Sequence, residues 1–304
     1  MTRLRTSLQI IHQSMLVIGK HRKLLLFPLL HIAGGIVVVA FFLIPVIAGL
    51  PEFAIPTVLD RLKDYGENGY PTALVVVFYL AIMFVMTFMN VALYSEILHA
   101  FNGRRVSLTR GITFAASKLQ AIVVWSLLSG IVGGLIRQLE ESIGGVGRWI
   151  LAFIGISWSV ASVFAVPVII REEKQSNPAL FLKLSGSLVK KTWGESVLGM
   201  VGIGALSLLA IAGTFLAGTL LTIVSGISFF EEYFGPYMVM GFTTTALLCL
   251  AIAYLSALLN DVYVCGLYIY AAEGVVPEEF DEGLFAKAWN VKAEGRGSSA
   301  KPPG

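Results

Sequence analysis

Six apolar runs, each of at least 18 residues, alternate along this chain with short segments that gather nearly all the Lys and Arg. The runs cover 24–50, 72–98, 119–136, 149–170, 197–224 and 237–270. At 1.5 Å per residue, such lengths match a hydrocarbon core of about 30 Å. Charged residues make up 13% of the chain, about half the share of a soluble domain. Lipid offers no partner for a backbone N–H or C=O, so runs of this kind cross it as helices. The expected fold is an all-α integral membrane protein. Its six transmembrane helices form three hairpins in one domain over residues 1–290, and 291–304 read as a disordered cytoplasmic tail.

Charge sets the expected orientation. The N-terminus, the second and fourth connections and the C-terminus together hold 18 of the 22 Lys and Arg residues. The other side holds Arg61, Lys63, Arg137 and Arg148. Basic residues near span ends are retained in the cytoplasm, so both termini should be cytoplasmic. A net charge of +3 gathered on one face suits anionic lipid head groups. It lacks the basic patch that a nucleic-acid binder needs. The first twenty residues mix polar and apolar types, and the first long run reads as a retained anchor rather than a cleaved signal. Cys249 and Cys265 lie 16 residues apart on one expected helix, too far to bridge.

The chain repeats a unit three times. A short amphipathic helix on the cytoplasmic side leads to a basic or aromatic threshold, an outgoing span, an outer loop and a returning span. The first copy has Leu4, Leu8, Ile11, Met15 and Ile18 at helical spacing before Lys20-His21-Arg22-Lys23. In the second, Ser107 is the expected N-cap, followed by Leu108, Ile112, Phe114, Ala115 and Leu119, with Lys118 and Trp125 as threshold. The third opens on Asn177-Pro178 and continues with Ala179, Leu180, Phe181, Leu184, Leu188 and Val189. One apolar stripe with cationic flanks is the pattern of a helix lying in the interface. Phe280, Leu284, Phe285 and Trp289 give a fourth such stripe after the last span.

Polar residues inside the spans are the candidate functional positions, because each is costly there and needs a partner. Asn90 lies deep in the second span, and Asn260 and Asp261 in the last third of the sixth. Asn90 and Asp261 are expected to face each other across the bundle, with Tyr94 a further partner for Asp261. Glu96 and His99 lie near the cytoplasmic end of the second span. Gly130 with Gly134, Gly155 with Ser159 and Gly213 with Ala217 are spaced for close helix packing. Lys191, Thr192, Trp193, Gly194 and Glu195 form an expected structural corner, with Trp193 at head-group depth and Glu195 in the first turn of the fifth span. Neither the four histidines nor Glu172-Glu173 have metal-ligand or catalytic spacing. No cofactor or metal is expected, and the chain does not read as an enzyme.

Leu24-Leu25-Leu26-Phe27-Pro28-Leu29, Phe88-Met89-Asn90-Val91-Ala92-Leu93, Trp158-Ser159 before Val166-Pro167-Val168, and Lys191-Thr192-Trp193-Gly194-Glu195 occur in this order. In that arrangement the chain resembles a family of bacterial and archaeal multi-span membrane proteins of unknown function, over about residues 15–290. It is more loosely similar to the membrane domain joined to some glycerophosphodiester phosphodiesterases, without their catalytic barrel. The resemblance implies a prokaryotic cytoplasmic membrane and no particular activity. Asn260-Asp261 departs from the less charged pair expected there.

Two functions fit these observations. One is a non-enzymatic protein that organises lipid or binds a partner, a second copy of the chain included, through its cytoplasmic helices. The other is a small permease or channel using the Asn90 and Asp261 region. The first requires a bundle core closed by apolar and small side chains, and the second a wet cavity reaching Asp261.

Overall fold

The computed structural model describes residues 12–48, 60, 72–143, 146–171, 177–191, 195–229 and 234–273, and these are almost entirely helical. Residues 12–20 form a first helix, α1. A 3-10 turn over Arg22–Leu25 leads into α2, Leu26–Ala48. Then come α3 (Thr72–Phe101), α4 (Leu108–Ser117), α5 (Leu119–Ser142), α6 (Val146–Ser162), α7 (Ala165–Arg171), α8 (Pro178–Lys191), α9 (Glu195–Phe229) and α10 (Phe234–Glu273). Six stretches are long and apolar enough to cross a membrane: Arg22–Ile44, Leu74–Phe101, Leu119–Glu140, Trp149–Arg171, Met200–Ile227 and Gly235–Glu273. The expected fourth stripe, 280–289, and most of the loop 51–70 lie outside the described residues.

Two short helices start as their sequences dictate. Ser107 takes an extended backbone and its hydroxyl accepts from Arg110 N. Asn177 Oδ1 accepts from Ala179 N at 3.0 Å, ahead of Pro178 in the first turn.

The buried core gathers at the basic end. It joins the start of α2 (Leu24, Phe27), the end of α3 (Val91 to Leu98, Phe101), the start of α5 (Ile122, Trp125), α7 (Ala165, Val168, Ile169) and the end of α10 (Leu258 to Ala271). α3 is the hub, packing on α2, α4, α5, α7 and α10. Toward the other end large apolar side chains stand outward, Phe41 at 71% and Leu221 at 70% exposure among them. Hydrocarbon solvates such faces at no cost, so they need no protein cover in a bilayer.

Each short helix enters this core on a small side chain. Ser14 of α1, Ala115 of α4 and Ser185 of α8 are all fully buried. The buried face of α1 is Ser14, Val17 and Ile18, while Met15, expected on its apolar stripe, is 54% exposed.

The fourth membrane-length stretch is two helices, not one. Pro167 has no N–H for the Val163 carbonyl, and its ring crowds that oxygen. α6 accordingly ends at Ser162, with Val163 N turning back to Val160 O at 3.3 Å. The freed Phe164 N–H donates to Ser185 Oγ of α8 at 3.0 Å in the core. Ser185→Ala should remove that acceptor and lower stability by about 1–3 kcal/mol. Thermal unfolding in detergent checks this, with exposed Ser187→Ala as the near-neutral control. A Ser185→Ala protein as stable as that control would remove Ser185 from this role.

α9 and α10 pair through a reciprocal contact. Thr222 Oγ1 donates to Gly218 O on its own helix, and Thr245 Oγ1 donates to Gly241 O on the other. Thr222 then faces Gly241 and Thr245 faces Gly218, each so near that a Cβ on the glycine would collide. Gly213, the expected contact glycine of α9, faces open space.

Candidate functional site

The polar side chains of α3 form a ladder with partners on three other helices. Asn90 and Tyr94 stand one turn apart and share a face. His31 of α2 places Nε2 3.0 Å from the Asn90 side-chain oxygen and Nδ1 3.0 Å from Phe27 O. A carbonyl only accepts, so Nδ1 donates to Phe27 O. Nε2 then meets the Asn90 side-chain amide, a contact that joins α2 to α3. Tyr94 OH donates to Asp261 Oδ1 of α10 at 3.0 Å. The structure thus gives Asn90 and Asp261 separate partners rather than each other. Asn260, beside Asp261, is half-buried. Tyr254, two turns earlier on α10, donates to Leu25 O at the start of the first span.

Glu96 makes the densest cluster. It is fully buried, and both its oxygens are engaged. Arg110 Nε donates to Oε1 at 2.7 Å and Nη2 to Oε2 at 2.6 Å, a two-pronged pair. Ser107 N donates to Oε2 at 2.7 Å, and Arg110 Nη2 also reaches Arg105 O at 2.7 Å. The hydrogen bond to Glu96 raises the Arg110 guanidinium above its ordinary value, so the guanidinium stays charged. This clamp holds the loop 102–107 and the start of α4 against α3. Gly111 completes it, because the α4 backbone lies so near α3 that a Cβ there would stand 2.9 Å from Ala92 O.

The sequence alone did not single out His31, Arg110 or Ser185 as partners. The one available signal was Glu96 at a span end followed by a capped helix carrying Arg110. Of the corner, Lys191 ends α8 and Glu195 opens α9. Thr192, Trp193 and Gly194 lie outside the described residues. At the ends of α7 and α10, Arg171 and Glu273 pair at 2.5 Å, both partly exposed.

Chemically, these groups form closed pairs. Each donor named meets an acceptor within the protein, an arrangement that fixes helix register. A half-enclosed cleft of about 720 Å³ lies elsewhere, between α1, the 3-10 turn, α9 and α10. Asn90, Asn260 and Asp261 are not among the residues that line it.

A model of a family of unknown function, DUF6159, matches residues 70–277. No curated protein and no solved structure matches the chain.

Proposed function

The chain belongs to the DUF6159 family of unknown function, and from that premise we propose that it is a non-enzymatic protein of the prokaryotic cytoplasmic membrane. Both termini lie in the cytoplasm, and its basic end organises lipid or partner proteins. The observation that carries this reading is the paired polar core at that end, where Tyr94 meets Asp261, Asn90 meets His31 and Arg110 meets Glu96. A permeation path needs polar groups open to water, and these face one another.

Three hairpins, each led by a short cytoplasmic helix, account for the packing as a threefold repeat. α4 lies on the returning span α3, and α8 on the returning span α6–α7. α1 completes the cycle, sharing the wall of the cleft with α10. That closure joins opposite ends of the chain, so adjacency in sequence does not explain it.

Reconstitution in vesicles tests the function. Proton, cation and small-solute fluxes should equal those of empty vesicles, and Asp261→Asn should cost no more than about 1 kcal/mol, the scale of one interhelical hydrogen bond. A flux that Asp261→Asn abolishes would replace this reading with the permease. Single cysteines at Asp64, Gly144 and Glu232 should label from outside the cell, and labelling from the cytoplasm would overturn the orientation.

A further inference from the structure

The cleft beside α1 has a buried apolar floor and an open apolar rim. Ile18, Ile203 and Leu259 form the floor, each no more than 8% exposed. Met15, Leu206 and Leu255 stand at the rim, half-exposed. Along α9 and α10 its walls run for eight residues each, 203–210 and 252–259, or about 10 Å. Its volume lies within the about 300–1,000 Å³ of small-molecule sites. The charged lining residue is Arg22, and Lys20 and Lys23 occupy the same turn of chain. Ser207 gives its hydroxyl to Ile203 O of its own helix, so it adds little polarity to the wall.

We propose that this cleft holds one acyl chain of an anionic phospholipid, with the head-group phosphate at Arg22. The inference rests on the lipid-organising reading above and names its site and ligand class. An apolar slot with a cation at the head-group end matches an amphiphile that carries its negative charge at one end. Charge argues against a second copy as occupant. A symmetric contact through this face would bring two copies of the Lys20-His21-Arg22-Lys23 turn together.

The test is native mass spectrometry of the whole chain, released from detergent after mixing with phosphatidylglycerol or phosphatidylcholine. Wild-type protein should retain one phosphatidylglycerol per chain in preference to phosphatidylcholine. Arg22→Gln should weaken retention about five-fold, the effect of one surface cation on an anionic lipid. Ala210→Trp, which fills the slot from an exposed wall position, should abolish the retained lipid. Unchanged thermal unfolding of both variants shows that folding is not the cause. Retention unaffected by both variants would overturn the site while leaving the lipid-organising reading in place. Equal retention of the two lipids, or a disulfide between copies carrying Leu206→Cys, would also overturn the proposal, the latter in favour of a dimer. Solute flux in vesicles would instead overturn the broader reading.

Discussion

Arg110→Ala should destabilise the protein by about 3 kcal/mol, the lower end of the range for breaking a buried ion pair from one side. The carboxylate of Glu96 is fully buried, and Arg110 provides two of its three hydrogen bonds. Without the guanidinium only Ser107 N remains, and Oε1 loses the donor it has within the protein. The Arg110 side chain is 41% exposed, which sets the figure at the low end. Adding Glu96→Gln to Arg110→Ala should recover at least half of the loss. Glutamine removes the unpaired charge and still accepts from Ser107 N. Thermal unfolding in one detergent gives both numbers. A single variant within about 1 kcal/mol of wild type would show that the clamp contributes no more than a surface pair.

Gly111→Val should be the next most damaging change, at about 1–3 kcal/mol for overpacking. A side chain at 111 meets the backbone oxygen of Ala92, the Glu96 side chain and the Phe27 ring, all within 3.1 Å. A carbonyl in the middle of a helix cannot swing aside. α4 must therefore lift from α3, which also strains the neighbouring Arg110 clamp. Gly186 of α8 supplies the contrast, since nothing stands within 4 Å of a Cβ there. Gly186→Ala should be neutral or stabilising by up to about 1 kcal/mol, because alanine favours a helix. Equal effects at the two positions would remove close approach as the reason for Gly111.

Only part of the candidate site could be read from the sequence. Asp261 stood out because a carboxyl on an apolar helix needs a partner, and Tyr94 was one of the partners expected for it. Asn90 stood out for the same reason, yet its partner is His31, 59 residues away on another helix. Glu96 drew notice as a polar residue near a span end. Its two-pronged partner lies 14 residues on, beyond a turn whose path the sequence does not specify. Ser185 carried no signal, because a serine among leucines reads the same whether it faces water, lipid or a broken helix.

The sequence by itself determined the six membrane-length apolar stretches and the two short helices after the second and fourth of them, expected over 107–116 and 177–189 and found at Leu108–Ser117 and Pro178–Lys191, with their starts at Ser107 and Asn177. These follow from run length, hydrophobic periodicity and local capping, which act over a few residues. Tertiary structure alone decided which apolar face meets protein and which meets lipid. Hydrocarbon and protein core are equally apolar, so hydrophobicity cannot separate Ile18, buried, from Met15, exposed. It also decided the Thr–Gly contacts of α9 and α10 and the cap that Ser185 places on the break before α7. Those depend on two backbones meeting at contact distance, which is a property of the assembled bundle rather than of any one stretch of chain.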